Sequence, residues 1–193
     1  MATVLTRTEA VQLLYDDTKL PTTTIVGAFG ILDKSGCKLL LDNVMAAAWT
    51  AYKTYETYVP QSQADFRELA PVAEANLLQR ELDILESVGW AVPARTRVDA
   101  VDNLAHAMGV TELDYGRAAV LSLVVDECAK MTDAQYARVV LCAAAQLSRT
   151  PNIKWTAKLA SADIGADYIM AWAVRVACIG GPPVMKGVKR KRV

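Results

Sequence analysis

Four sets of residues in this chain have types and spacings that chemistry could use. The first is His106, the single histidine. A catalytic role would need a nucleophile or a metal partner placed by the fold. It lies between Ala105 and Ala107 on a helical stretch, and a partly buried structural histidine is expected. One histidine and no cysteine cluster exclude a His-rich metal site. The second set is Cys37, Cys128, Cys142 and Cys178. None has C-x-x-C spacing, which argues against a zinc ribbon or a thioredoxin-like motif. Cys128, Cys142 and Cys178 sit in apolar stretches and read as small core residues. The third set is carboxylates, Asp16 beside Asp17, and Glu81, Asp83 and Glu86 along one helix. Glycosidase chemistry needs two carboxyls facing across a cleft; a solvated helix face is expected instead.

The fourth set is cationic. Lys186, Lys189, Arg190, Lys191 and Arg192 crowd the last eight residues, next to a Gly180, Gly181, Pro182, Pro183 break. Such a tail attracts phosphates and releases counterions when it binds them. Further in, Arg138, Arg149, Lys154, Lys158 and Arg175 alternate with Trp155 and Trp172. Cations at helix ends around an indole can hold phosphates while the ring stacks a base. The competing reading is tryptophans in the core and surface cations with buried stems. Gly27, Ala28, Phe29 and Gly30 form a glycine-punctuated run. No Gly-Lys-Ser/Thr follows it, no dinucleotide fingerprint exists, and the G-x-S-x-G elbow is absent.

The elements that carry these residues are mostly helical. Alanine is abundant, and Gly and Pro are sparse within long segments, which favours helix. Thr6 with Glu9 reads as a capping box opening a helix to about Asp17. Leu20 to Gly30 is β-branched, has no helical period and reads as an extended arm or single strand. Asp33 to Gly36 reads as a turn. Helices are expected over 37–58, from Ser62 with Asp65 in its first turn, over 72–88 with Leu77, Leu78, Leu82 and Leu85 on one stripe, over 96–108, 114–131 and 132–148, then over 154–160 and 163–178. Gly89 and Gly109 are expected to close two of them. No internal repeat is visible. The expectation is an all-α protein with an extended N-terminal arm (1–35), a core of about seven helices (36–179) and a basic tail (180–193).

Composition narrows the function classes. The chain has 193 residues, of which 53% are hydrophobic and 22% charged. That is enough apolar material for one sizeable core and argues against a disordered chain or a disulfide scaffold. Lys plus Arg and Asp plus Glu are both 21. The five tail cations, with no acid beside them, leave residues 1–185 at a net −5. A mildly acidic body argues against a domain that binds nucleic acid over its whole surface. The N-terminal residues lack a cationic start and an apolar core, so no signal peptide is expected. The most apolar stretches are too short or interrupted by Arg175, and a soluble intracellular protein is expected.

One block resembles a known family. Arg117, Ala118, Ala119, Val120 and Leu121, then Glu127 and Cys128, then Tyr136, Ala137, Arg138, Val139 and Val140, then Pro151 and Trp155, are similar in order and spacing to a block in coat proteins of flexible filamentous plant RNA viruses. Potexviruses and their relatives are the nearest likeness. The likeness spans roughly 117–172. The family's Phe-Asp-Phe-Phe hallmark is replaced here by Ala166, Asp167, Tyr168 and Ile169. The resemblance implies a coat protein of the virion, made in the host cytoplasm, that polymerises with copies of itself into a helical filament around single-stranded RNA. It implies RNA contacts at Arg117 and Asp167, with Arg149, Lys154, Trp155 and Lys158 alongside. The arm residues Ile25, Val26, Phe29 and Ile31 would then dock on a neighbouring subunit. Burying each large side chain there would contribute about 1.5–3 kcal/mol, and such open-ended contacts propagate. No cofactor, metal, membrane or small-molecule substrate is expected, and no enzymatic activity. The alternative from another class is a cellular all-α module that binds nucleic acid or a protein partner.

Overall fold

The structure, a computed structural model, describes residues 4–56, 62–71, 77–110, 113–148 and 166–179. These residues are all-helical, with a single isolated bridge between Val4 and Leu40. Ten helices are described: α1 (Arg7–Asp16), α2 (Thr22–Ser35), α3 (Leu41–Tyr55), α4 (Gln63–Leu69), α5 (Leu77–Ser87), α6 (Arg97–Ala107), α7 (Gly116–Ser122), α8 (Asp126–Lys130), α9 (Asp133–Leu147) and α10 (Ala166–Ile179). Two Ala-rich helices organise them. Around α3 pack α2 and α5; around α9 pack α6, α7 and α10. Helix α2 also lies against α7 and α6, so one continuous core runs from Ala10 to Val176.

Local chemistry sets most helix starts. Thr6 with Glu9, Ser62 with Asp65, Thr96 with Asp99 and Thr132 with Gln135 all form reciprocal capping boxes. Each satisfies N–H groups that the first helical turn leaves without partners. Small side chains let α3 and α9 sit at the centres. Val44 to Ala51 and Val139 to Ala145 are buried without interruption, so neither helix keeps a polar face in that run.

The expected extended arm is a correction. Residues Thr22–Ser35 form helix α2, and Ile25, Val26, Phe29 and Ile31 are buried in the chain's own core, not offered to another subunit. Pro21 precedes the first turn, where its fixed φ suits a helix start. The sequence lacks a helical period because α2 is covered on several sides, by α3, α5, α6 and α7. Burial outweighs the poor helix propensity of Thr22, Thr23, Thr24, Ile25 and Val26. Gly27 is needed for this approach, since a Cβ there would stand 2.4 Å from the Tyr55 ring. Ten residues between Ala10 and Leu32 share one buried cluster with α3 and α9.

The expected helix over 114–131 is broken at Leu123–Val125 into α7 and α8. The break exposes carbonyls that arginines tie down. Arg7 Nε donates to Leu123 O, and its two terminal nitrogens contact Asp33 at 2.6 and 2.9 Å. Arg97 donates to Cys128 O at 2.6 Å and to Met131 O, and reaches Asp133 at 3.2 Å. These two side chains join α1 to α7 and α6 to α8. No described helix is long and apolar enough to cross a membrane.

Candidate partner-docking site

Helix α5 carries a buried carboxylate. Its inward stripe is Leu77, Glu81, Ile84 and Val88, so Glu81 takes a position that otherwise holds apolar side chains. It is 5% exposed, the one carboxylate buried among the described residues. The expected solvated face holds for Asp83 and Glu86, which are exposed, and fails for Glu81. The expected stripe of Leu77, Leu78, Leu82 and Leu85 is rotated by about one position: Leu78 and Leu82 are 56% and 43% exposed.

Helix α3 supplies the partners of Glu81. Trp49 Nε1 donates to Oε2 at 2.9 Å. Thr50 Oγ1 stands 3.4 Å from Oε1 and 3.0 Å from Ala46 O, to which it back-bonds. Lys53 Nζ forms an ion pair with Oε1. Trp49, Thr50 and Lys53 lie within one turn, so one face of α3 presents an indole N–H, a hydroxyl and an ammonium to one acid. The Lys53 ammonium is also 4.8 Å from the centre of the Trp49 ring, a cation–π contact. Phe66 of α4 meets Trp49 edge-on at 5.1 Å and Tyr52 at 6.1 Å, which fixes the indole from the other side. The Lys53 side chain is 35% exposed. A buried acid thus holds a lysine at the surface, and Leu78 and Leu82 are exposed on the helix that carries this acid.

The residues read from the sequence are placed differently. Arg117 and Asp167 are exposed, on α7 and α10, two helices that pack together. Arg149, Lys154, Trp155, Lys158 and the tail cations Lys186, Lys189, Arg190, Lys191 and Arg192 lie outside the described residues, as does the expected helix over 154–160. Trp172 is half-buried, with Arg175 over its ring at 5.0 Å and Tyr168 edge-on at 6.2 Å. His106 is exposed in the last turn of α6, not partly buried as expected. Cys128 and Cys142 are core residues, and burial pushes both thiols up to about 11, which keeps them protonated and unreactive. Cys178 is exposed, a correction to its reading as a core residue. Among the described residues no group of three or more His, Cys, Asp or Glu is arranged to hold a metal ion.

The signal for the missed site was present in the spacing. Glu81 is four residues after Leu77 and three before Ile84, so an α-helical stripe through those two residues includes it. Comparison with known proteins adds no name to this arrangement: no protein-family model, curated protein or solved structure matches the chain.

Proposed function

We propose that this chain is a protein-interaction module whose α3–α5 face receives a helical segment of a partner protein. The observation that carries this reading is the Glu81 carboxylate buried under Lys53. Replacing a buried ion pair with apolar residues is often neutral or stabilising, so its stability alone does not account for the pair. What it does achieve is placement. Lys53 is held in one position, with ammonium donors left over beyond the one given to Glu81. Leu78 and Leu82, spaced i and i+4 on the helix that carries Glu81, supply an exposed apolar stripe. A stripe with one fixed cationic anchor suits an amphipathic helix whose carbonyl end or acidic side chain meets Lys53.

The test is selection from a displayed library of amphipathic helical peptides against the full chain. Enriched peptides should lose about tenfold or more in affinity against Leu78→Asp/Leu82→Asp and against Lys53→Ala. No enrichment, or enrichment indifferent to all three substitutions, would refute the proposal.

The filament-forming coat protein is the second reading. It is supported by the block from Arg117 onward and by the basic tail. It has lost its mechanism of subunit exchange, because the residues meant to dock on a neighbour are enclosed by their own chain. Filaments carrying RNA in negative-stain micrographs of the purified protein would reverse this order.

A further inference from the structure

A cleft of about 440 Å³ separates α2 from the helices around α9, with Tyr55 of α3 in its lining. Val26, Leu123, Met131 and Tyr136 form its apolar walls, and the guanidinium groups of Arg7, Arg95 and Arg97 line it. Two glycines of α2, Gly27 and Gly30, face it. Gly27 is explained by the ring of Tyr55. Gly30 is not. A Cβ built there meets no atom within 4 Å, yet glycine in the interior of a helix weakens it relative to alanine. Gly30 is exposed, so the cleft opens to solvent at this end.

The cations around that space differ in their commitments. Arg97 is held by the carbonyls of Cys128 and Met131, and its guanidinium lies 4.3 Å from the centre of the Tyr136 ring. Carbonyls and a ring face orient a guanidinium without neutralising it. Its carboxylate contact, to Asp133, is one 3.2 Å interaction with an exposed side chain. Arg7 is matched by Asp33. Arg95 is exposed and makes no hydrogen bond or ion pair with any described residue. The lining therefore holds three cations against the two carboxylates of Asp33 and Asp133, and the surplus lies with Arg95. A seam between two helix groups stapled by Arg7 and Arg97 accounts for those two residues. It leaves the cleft's open end at Gly30 and the unmatched Arg95 to be accounted for.

We infer that this cleft binds a phosphate monoester, gripped by Arg95 and Arg97, with the ester's organic group lying toward Gly30. Planar guanidinium forks match phosphate oxygens in pairs. A monoester carries close to two negative charges at neutral pH, enough to engage Arg95 and to compete with Asp133 for Arg97. The cavity is several times larger than a phosphate group, which leaves room for what the phosphate is attached to.

The experiment is a titration of the isotopically labelled full chain, followed by backbone amide NMR shifts. The probes are inorganic phosphate, adenosine monophosphate, the peptide acetyl-Ala-Ala-phosphoserine-Ala-Ala-amide and the same peptide without phosphate. Saturable shifts at Gly27, Gly30 and Arg95 are expected with the two monoesters, and none with the unphosphorylated peptide. Arg95→Ala should weaken binding about tenfold or more, and Gly30→Leu should abolish it with the amides of α3 and α5 unmoved. Arg95 is a surface side chain, so its variant keeps the test valid if Gly30→Leu fails to fold. Tighter binding of the phosphopeptide assigns the source to a modified protein; tighter binding of adenosine monophosphate assigns it to a small molecule. No saturable shift with either monoester, or equal affinity for wild type and Arg95→Ala, would overturn the inference.

Discussion

Removing Lys53 should harm the fold more than removing the charge of Glu81, although Lys53 is the more exposed of the two. The ion pair itself is partly screened, because the lysine side chain is 35% exposed, so its Coulombic part is small. The cost of Lys53→Ala comes from what remains. The Glu81 carboxylate, 5% exposed, would keep Trp49 Nε1 and the distant Thr50 hydroxyl as donors and lose the one counter-charge it has among the described residues. Breaking a buried pair from one side costs about 3–5 kcal/mol. The surviving indole donor and water entering through the space left by the lysine lower that to about 2–4 kcal/mol. Glu81→Gln is milder. Its amide oxygen still accepts from Trp49, and Lys53 turns to solvent, so about 1 kcal/mol is lost. Lys53→Met combined with Glu81→Gln leaves no unpaired charge, and should cost less than Lys53→Met alone. The assay is urea unfolding followed by circular dichroism. With a slope of about 2 kcal/mol per molar, Lys53→Ala lowers the midpoint by about 1–2 M. If Lys53→Ala shifts it no more than Glu81→Gln, or if the double variant costs the sum of its single substitutions, the buried carboxylate is not what positions Lys53.

Three further outcomes follow from the packing. Gly27→Ala should cost about 1–3 kcal/mol, because its Cβ falls 2.4 Å from the Tyr55 ring, and Tyr55→Ala in the same chain should recover part of it in the same urea assay. In the native protein a thiol reagent should modify Cys37 and Cys178, with Cys128 and Cys142 reacting only after denaturant is added, since burial pushes the latter two up to about 11; four fast thiols would contradict the core. Burial pushes the Tyr136 hydroxyl up to about 12 against an ordinary value of 10.0. The folded state thus favours the protonated form, its contribution is intact below pH about 10, and it is lost as the pH rises towards about 12. Tyr136→Phe should flatten that alkaline loss in pH-dependent melts.

Helix starts were legible because their signals are local. A Ser or Thr with an acid or Gln three residues on marks four of the helices, and Gly89 and Gly109 take the left-handed conformation next to the helix ends where the sequence places them, whereas Gly36, read as part of a turn, closes α2. What failed depends on distant contacts. Helix α2 has neither a helical period nor good propensity, and it forms because α3 and α7 cover it. Nothing within residues 114–131 announces the break at Leu123; its reward is a carbonyl for Arg7, 116 residues away in sequence. Glu81 looked like one of three solvated acids because charge was read by composition. Read by its step from Leu77 and to Ile84, it belongs to the buried stripe. His106 and Cys178 were misplaced for the opposite reason: apolar neighbours in sequence, such as Ala105 and Ala107, say little about which face of a helix a residue takes.

The placement of α2 weighs against exchange of a free arm, the mechanism on which the filament reading rested. A docking arm must be able to leave its own chain, and leaving exposes what it buries. Here release of α2 would uncover Ile25, Val26, Phe29, Ile31 and Leu32 together with the faces of α3 and α7 they cover. At about 1.5–3 kcal/mol for each large side chain, those five alone represent about 8–15 kcal/mol, comparable to the whole stability of an ordinary domain. An exchange between subunits would restore those contacts only if the partner offered the same α3–α7 groove, which is domain swapping and not the addition of a free arm. The polar features on the surface need no such rearrangement. Lys53 is already held at the rim of α3 and α5, and Arg95 already faces an unfilled cleft. The anchored lysine, the exposed Leu78 and Leu82 and the uncommitted Arg95 are all accessible to a partner without opening the core.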